Sequence, residues 1–259
     1  MTRPAVARKR FGQHFLHDPQ VIARIISAID PRTGEALVEI GPGRGALTVP
    51  LLERCGALTA IEIDRDLARN LAERFGSALK LIVADVLDVD FSALRAAGPP
   101  LRVVGNLPYN ISTPLLFHLL TQRTAIRDMH FMLQREVVER MVAAPGSKIY
   151  GRLTVMLAPW VRIESVLDVG PGAFRPAPKV ASTVVRITPL HEAAFPIGAP
   201  ERFEQVVRAA FSQRRKTLRN ALKGVVDADR LRQLGIDPAL RPERLAPEQF
   251  ALIARSSAG

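Results

Sequence analysis

From residue 36 to residue 134 the chain repeats one pattern, in which a short apolar, β-branched run is followed by apolar residues at helical spacing. The runs are ALVEI at 36–40, LTAIEI at 58–63, LKLIVAD at 79–85, LRVVGN at 101–106 and MHFMLQ at 129–134. Strands that alternate with helices in this way form βαβ units. The pattern therefore predicts an α/β domain with a parallel sheet and helices on both faces.

The pattern changes in the second half of the chain. Two strand-like runs, ESVLDV at 164–169 and ASTVVRI at 181–187, are joined by a loop rich in proline and glycine. From about Pro200 onward the apolar spacing is helical only, and a long helix is predicted over 201–226. This change in the spacing of apolar residues predicts a first domain over 1–190 and a small, all-helical domain over 191–259.

Composition adds a partner class to this picture. The 259 residues are 47% apolar, which suffices for one substantial core and a smaller second one. The formal charge of +11 indicates a polyanionic partner such as nucleic acid, with an anionic membrane surface as the alternative. Cys55 is the only cysteine, which excludes a disulfide framework and a cysteine-based zinc site. No apolar run approaches the roughly 18 residues that span a bilayer, so we expect a cytoplasmic protein without a membrane or metal partner.

The positive charge is clustered. The segment between Glu204 and Asp227 contains no acid. Its candidate nucleic-acid-binding residues are Arg208, Arg215, Lys216, Arg219 and Lys223. On a continuous helix, all of these except Lys216 fall on the side opposite the apolar stripe, which favours phosphate contact. On the same helix Arg214 would project into the apolar stripe. Either its side chain extends past the apolar surface so that its charge reaches water, or the helix is interrupted near Ser212, which could cap a second helix. A basic N-terminal arm with Arg8, Lys9 and Arg10 adds to the charge.

The stretch VEIGPGRGALT places Gly41, Gly43 and Gly45 where the first strand turns into a helix. Glycines there allow the backbone to approach a ligand closely. The spacing of Gly41, Gly43 and Ala46 also satisfies the dinucleotide pattern, so an NAD enzyme is one candidate.

Three acids follow the ends of successive strands and favour a different ligand. Glu39 precedes the glycine turn, where a carboxylate can face the positively charged amino-acid end of S-adenosylmethionine. Glu62 lies about twenty residues past the turn, where an acid can accept both ribose hydroxyls. Asp85 can meet an adenine amino group. Together these acids predict an S-adenosylmethionine site along the carboxyl edge of the sheet.

The fourth strand ends on the same edge in the stretch GNLPYN. An adenine amine is a poor nucleophile because its lone pair is delocalised into the ring, and acceptors against its two hydrogens favour the reactive, pyramidal form. The Asn106 side-chain oxygen and the Leu107 carbonyl can serve, since Pro108 supplies no amide hydrogen and holds the chain rigid. Tyr109 offers a face for a base extruded from its stack. These four residues are the predicted catalytic group.

Six motifs, RKRFGQHFL, VEIGPGRGALT, IEIDRDL, GNLPYNIST, MLQREVVERM and FSQRRKTLRNAL, resemble the ribosomal RNA small-subunit adenine dimethyltransferase family. The resemblance runs from about Arg8 to about Arg255. It implies a Rossmann-like, class I S-adenosylmethionine-dependent methyltransferase fold, with a seven-stranded, mostly parallel sheet that has one antiparallel strand, plus a helical C-terminal domain. It further implies N6,N6-dimethylation of two adjacent adenosines in the 3′-terminal hairpin of 16S ribosomal RNA, a role in small-subunit biogenesis, and an immature 30S particle as the partner of a monomer.

The resemblance also implies roles for individual residues. Gln13, His14 and Leu16 would lie over the cofactor, and Gly41 would meet its amino-acid end. Phe174 either stacks on the flipped adenine opposite Tyr109 or caps the core.

Four other functions remain as alternatives. They are a large-subunit ribosomal RNA methyltransferase that confers macrolide resistance, a DNA adenine methyltransferase, a non-catalytic assembly factor and an NAD dehydrogenase. The residues alone do not distinguish RNA from DNA or one methyl group from two.

Overall fold

The computed structural model describes residues 14–213 and 215–256. They form two compact units. The first contains the described residues up to Val138 together with Ile163–Pro189, and the second contains Glu139–Arg162 and the described residues from Leu190 onward. This division differs from the boundary predicted at residue 190, because the segment 139–162 belongs to the helical unit. Tyr150 of that segment is buried in the helical core, and its hydroxyl donates a hydrogen bond to the Leu245 carbonyl over 2.8 Å.

The first unit is built on a seven-stranded sheet with the order β4-β3-β2-β5-β6-β9-β7. Its strands are β2 (Leu37–Ile40), β3 (Leu58–Glu62), β4 (Leu79–Val83), β5 (Leu101–Asn106), β6 (Ile126–Gln134), β7 (Val161–Val169) and β9 (Ser182–Pro189). The pairs formed by β2 to β6 are parallel, whereas β9 is antiparallel to β6. All four residues of β2 are buried, as expected for a strand covered on both faces. The predicted α/β sheet is confirmed.

Helices connect the strands. The longer ones of the first unit are α1 (Pro19–Ile29), α2 (Thr48–Cys55), α3 (Arg65–Phe75), α4 (Phe91–Arg95) and α5 (Ser112–Thr121), and α6 (Arg135–Met141) follows β6. Asp18 caps α1 by accepting a hydrogen bond from the Gln20 amide over 2.9 Å. In the part of the chain that is described, no helix is long and apolar enough to cross a membrane.

A two-stranded antiparallel pair is separate from the main sheet. It consists of β1 (Phe15–Leu16) and β8 (Phe174–Arg175), with Leu16 opposite Phe174. The His17 amide extends the pairing with a 2.9 Å hydrogen bond to the Ala173 carbonyl. The proline-rich loop before β9 therefore fixes the described start of the chain.

A buried ion cluster lies toward the amino ends of β5 and β6. The Arg102 guanidinium donates to both carboxylate oxygens of Asp128, at 3.1 and 3.2 Å, and to Glu35 at 2.7 Å. It also donates to the carbonyls of Ile29 and Asp30 at the end of α1, at 2.6 and 3.2 Å. One side chain thus ties α1 to two strands and satisfies carbonyls that the helix itself leaves open.

The second unit is helical, with α7 (Arg152–Leu157), α8 (Pro200–Ala210), α9 (Leu218–Ala221), α10 (Ala228–Gln233) and α11 (Pro247–Ser256). The continuous helix over 201–226 is wrong and the alternative, an interruption near Ser212, is confirmed, because α8 ends at Ala210 and α9 starts at Leu218. Ser212 does not cap the second helix, and Thr217 occupies its N-cap position. Instead the Ser212 hydroxyl donates to the Ala209 carbonyl over 2.7 Å, a local bond that competes with helix continuation.

Candidate active site

A cavity of about 240 Å³ opens at the carboxyl edge of the sheet in the first unit. It is lined by the turn after β2, by the residues that follow β3, β4 and β5, and by β1. The predicted cofactor and catalytic residues that line it are His14, Leu16, Glu39, Gly41, Gly43, Glu62, Asp85, Asn106, Leu107, Pro108 and Tyr109. Gln13 lies outside the described residues. The parallel strands therefore bring together side chains that are up to 70 positions apart in sequence, from Glu39 to Tyr109, and the segment at β1 adds His14 and Leu16.

The glycine turn forms one wall of the cavity. Gly41 and Gly43 have φ angles of 64° and 58°, which residues other than glycine rarely adopt. The Gly41 amide donates to the Ile61 carbonyl over 2.9 Å, which ties the turn to β3. A Cβ atom on Gly43 would lie 3.3 Å from the Phe15 ring, so the glycine also allows β1 to lie close to the turn.

Glu62 is held by the backbone around it. Glu62 is only 5% exposed. Its two carboxylate oxygens accept hydrogen bonds from the backbone amides of Gly43 at 3.1 Å and Asp64 at 2.9 Å. Burial raises the pKa of Glu62 above its ordinary value. Because each carboxylate oxygen has a further lone pair, a fixed Glu62 can still accept hydrogen bonds from two neighbouring hydroxyls.

Glu39 is the most buried acid of the site, at 2% exposure. The Thr48 hydroxyl donates to it over 2.7 Å. Burial, and secondly the negative charge of Glu62, raise the pKa of Glu39 to about 7, although the Thr48 hydrogen bond acts in the opposite direction. A cation bound in the cavity would stabilise the ionised form and lower this pKa.

Among the described residues, no Lys or Arg forms an ion pair with Glu39 or Glu62. Two neighbouring buried carboxylates that have no cationic partner in the described part of the chain fit a cavity whose ligand is positively charged. Asp85 lies beyond the end of β4, where one of its oxygens accepts a hydrogen bond from the Leu87 amide over 3.0 Å.

The orientation of the Asn106 amide is set by β1. Its Nδ2 donates to the His14 carbonyl over 3.0 Å, so its side-chain oxygen is the group left to accept from a ligand. The next acceptor is the Leu107 carbonyl, which precedes Pro108 and receives no hydrogen bond from a described residue. The Pro108 carbonyl accepts from the Ser112 hydroxyl over 3.1 Å, which anchors the loop to the start of α5.

Tyr109 is held at both ends of its side chain. Its ring stacks on the His14 imidazole with the centroids 5.7 Å apart and the planes at 28°. Its hydroxyl lies 2.9 Å from the Ser182 hydroxyl. His14 is itself anchored, because its Nδ1 donates to the Pro176 carbonyl over 2.7 Å.

Phe174 does not line the cavity. It is 2% exposed and belongs to the hydrophobic core together with Leu16, Met132 and Val184. Stacking on a flipped adenine, the first of the two roles considered for it, is not supported by this conformation, since the ring would have to leave the core. Its position supports the second role, in which it caps the core and holds β1 through β8.

Sequence reasoning missed three residues near the site. Phe15 lines the cavity, the Arg44 guanidinium lies 4.4 Å from the centroid of the Phe15 ring, and Ser182 contacts Tyr109. Arg44 could have been noticed as the cation inside the glycine turn. A serine at the start of an apolar run carries no comparable signal.

The predicted RNA-binding cations lie in the second unit, and all five are exposed. Arg208 belongs to α8 and Arg219 to α9, whereas Arg215, Lys216 and Lys223 lie outside the helices, so the five cations do not form a stripe on one helix. Arg219 and Lys223 line an open depression of about 830 Å³, with Arg202 and Arg230. Two of the five predicted cations, Arg219 and Lys223, thus lie in one depression, which Asp227 and Asp229 also line.

Comparison with known proteins identifies relatives over nearly the whole chain. A relative from Hahella chejuensis is 53% identical over 250 residues, covering 96% of this chain and 92% of its own. One from Xanthomonas axonopodis pv. citri is 54% identical over 252 residues, covering 96% of both. Both are named ribosomal RNA small subunit methyltransferase A.

Two solved structures share the fold. A dimethyladenosine transferase from Plasmodium falciparum is 26% identical with a TM-score of 0.76, over 93% of this chain and 96% of its own. The 23S rRNA methyltransferase ErmE is 28% identical with a TM-score of 0.70, over 95% of this chain and 100% of its own. The predicted Rossmann-like, class I methyltransferase fold with a helical second unit is therefore confirmed. The family model described as ribosomal RNA adenine dimethylase matches residues 5–258, and this chain belongs to that family.

Proposed function

We propose that this protein uses S-adenosylmethionine to dimethylate N6 of two adjacent adenosines in the 3′-terminal hairpin of 16S ribosomal RNA. It would act in the cytoplasm as a monomer on the immature 30S particle, and so take part in small-subunit biogenesis. The observation that carries the proposal is that Asn106, Leu107 and Tyr109 line the same cavity as the buried acids Glu39 and Glu62.

The choice of ribosomal subunit rests on similarity. The relatives named for the small subunit are 53% and 54% identical to this chain, whereas ErmE, named for 23S rRNA, is 28% identical. The family resemblance of the motifs around Asn106 and Arg219 points the same way.

The residues of the cavity fit S-adenosylmethionine. Its ammonium and sulfonium groups match a cavity in which Glu39 and Glu62 have no cationic partner among the described residues. Glu62 would accept the ribose hydroxyls, and Asp85 would accept from the adenine amine. When bound, the donor supplies an electrophilic methyl group attached to a positively charged sulfur.

The chain's own residues then align the acceptor. The Asn106 side-chain oxygen and the Leu107 carbonyl would accept the two hydrogens of the target amine and localise its lone pair on N6. The Tyr109 ring would support one face of the flipped base. No strong base is required, because an alkylated amine is acidic enough to release its proton to water. Alignment therefore supplies most of the rate.

Methyl transfer to undermethylated small subunits tests the proposal directly. The purified protein is incubated with labelled S-adenosylmethionine and small subunits, and the modified nucleotides are mapped. We expect dimethyladenosine at two adjacent positions of the terminal hairpin. Label on large subunits or on duplex DNA in place of small subunits would contradict the proposal and select one of the alternative enzymes.

Binding of the donor is expected to depend on pH through Glu39. Because the pKa of Glu39 is about 7 in the free protein, a cationic ligand that binds near neutral pH should displace a proton from it. The affinity should therefore rise as the pH increases from 6 to about 7.5 and should change less above that. Calorimetry in buffers of different ionisation enthalpy measures the released proton.

Glu39→Gln is the control for this experiment, because it keeps the shape of the side chain and removes the ionisable group. The ligand's own amino group titrates identically in both proteins, so the difference between them reports Glu39. Equal proton release from the wild type and the variant would contradict the assignment.

The exposed cations of the second unit are expected to set affinity for the subunit. The double variant Arg219→Gln/Lys223→Gln should bind subunits with a shallower slope of log affinity against log salt concentration. The change in slope should correspond to the loss of about two phosphate contacts. The double variant should raise KM for subunits about tenfold while leaving kcat at saturation unchanged, because phosphate contacts position the RNA without touching the reacting atoms. Arg54→Gln/Arg69→Gln, two exposed cations on helices of the first unit, makes the same change in charge as a control. Equal loss in both double variants would indicate a general charge effect.

A further inference from the structure

We infer that Ser182 is a positioning residue for methyl transfer, because its hydroxyl fixes the tilt of the Tyr109 ring on which the target base rests. This inference rests on the function proposed above. It assigns a role to a side chain that does not line the cavity and that acts through Tyr109 alone.

The contact joins a buried strand to an irregular loop. Ser182 is the first residue of β9, is 0% exposed and pairs with Gln134 of β6. Its hydroxyl lies 2.9 Å from the Tyr109 hydroxyl. Tyr109 lies between β5 and α5, where no strand pairing restrains the backbone. The hydroxyl pair is therefore the link between the Tyr109 side chain and the sheet.

The same sheet carries the acceptor of the target amine. Asn106 ends β5 and pairs with Met132 of β6, two residues before the Gln134 that pairs with Ser182. Through the hydrogen bond to Ser182, the Tyr109 ring is anchored to β6, the same strand that pairs with Asn106. The ring and the Asn106 amide are therefore held in a fixed position relative to each other. This matters because methyl transfer requires the base plane and the amine acceptors to keep a fixed relation, and a small misplacement costs rate.

The other contact of the Tyr109 ring leaves one motion open. Stacking on His14, at a centroid distance of 5.7 Å, limits the ring on one face but permits it to slide and to rotate in its own plane. A bond at the far end of the ring removes this freedom. Phenylalanine would fill the same space, yet it would lack that restraint and would leave the buried Ser182 hydroxyl without its partner.

A double-mutant cycle isolates the contact. Ser182→Ala and Tyr109→Phe are each expected to lower kcat on small subunits about three- to tenfold, as the loss of one neutral hydrogen bond of ordinary strength predicts. KM for S-adenosylmethionine should stay within about twofold of the wild-type value, because the residues proposed to bind this methyl donor are unchanged. The double variant should be no slower than the slower single variant, since both changes break the same bond.

Thr183→Ala provides the matched control. Thr183 is the next residue of β9, is also buried, and its hydroxyl bonds to Asp168 over 2.7 Å without contacting Tyr109. Its kcat should stay at the wild-type value. A double variant whose loss equals the product of the single losses, or an equal loss in Thr183→Ala, would overturn the inference.

A readout independent of catalysis separates this inference from the proposed function. The chain contains two tyrosines, so ring-labelled tyrosine gives two sets of NMR signals. In Ser182→Ala the Tyr109 ring signals should shift, whereas those of Tyr150, in the other unit, should not change. Unchanged Tyr109 signals would overturn the inference. Absence of transfer by the wild-type protein would instead contradict the proposed function alone.

Discussion

Asn106→Ala is expected to reduce kcat for methyl transfer about 100- to 1,000-fold, the loss found when one preorganised hydrogen-bonding group is removed from a polar transition state. The alanine removes the acceptor for one amine hydrogen and also frees the loop from the His14 carbonyl. Binding of small subunits should persist, because the exposed cations of the second unit are unchanged. Single-turnover transfer of a labelled methyl group measures the first effect, and co-sedimentation with subunits measures the second.

Asn106→Asp divides the two roles of the amide. Aspartate keeps an oxygen that can accept from the amine, but it loses the donor to the His14 carbonyl and places a negative charge against that oxygen. We expect an activity between those of the wild type and the alanine variant. Asn70→Ala, an exposed asparagine on α3, controls for the substitution itself. Transfer by Asn106→Ala within tenfold of the wild type would remove Asn106 from the catalytic group.

The separation of binding from transfer also addresses the alternative of a non-catalytic assembly factor. If Asn106→Ala binds subunits and transfers no methyl group, the two activities reside in different parts of the chain. Both can then contribute to subunit biogenesis. Loss of binding together with a changed circular dichroism spectrum would indicate misfolding.

The candidate cofactor site was predictable from the sequence because it depends on strand ends. Glu39, Glu62, Asp85 and Asn106 each lie within two residues of the carboxyl end of a strand, and parallel strands bring these ends to one edge. Neither a helix nor an exact boundary had to be known. The residue type at each strand end was enough to predict which side chains would share a cavity.

Features that depend on contacts between distant segments were not predictable. The position of Phe174 is decided by its partner Leu16, more than 150 residues away in sequence, and no periodicity reports that pairing. The segment 139–162 joins the helical unit through side chains such as Tyr150 that any core could bury. In each case a tertiary contact outweighs the local pattern.

The largest expected effect on stability lies at the opposite end of β5. Arg102→Ala should lower the free energy of unfolding by about 3–5 kcal/mol, because it removes the buried cation that pairs with the buried carboxylate of Asp128 and leaves only the exposed Arg127 as a cationic contact. It also removes the donors to the last carbonyls of α1. Urea unfolding followed by far-UV circular dichroism measures the loss. Arg127→Ala is the matched control, since Arg127 contacts Glu35 and Asp128 but its side chain is 53% exposed. That variant should lose less than about 1 kcal/mol.

The pH dependence gives this prediction a second, independent signature. Burial alone would raise the pKa of Asp128, but the neighbouring His130 imidazole, whose Nδ1 lies 3.5 Å from the carboxylate, and the charge of Arg102 outweigh it and hold that pKa below the ordinary value. The pKa of Glu35 is lowered in the same way, with burial outweighed chiefly by Arg102. A depressed pKa stabilises the fold above the ordinary pKa and loses that effect as the pH falls through the folded-state value. The stability difference between the wild type and Arg102→Ala should therefore be full at pH 7 and should shrink below about pH 4.

Arg102→Met/Asp128→Leu tests whether the loss comes from the unpaired charge or from missing packing. Replacement of a buried ion pair by apolar side chains of similar volume is often neutral, because no charge remains to be desolvated. The double variant should therefore recover part of the stability that Arg102→Ala loses, although Glu35 still lacks its contact with Arg102 and keeps only that with Arg127. If the double variant is the less stable of the two, the cluster acts mainly by bridging α1, β5 and β6, and electrostatic pairing is secondary.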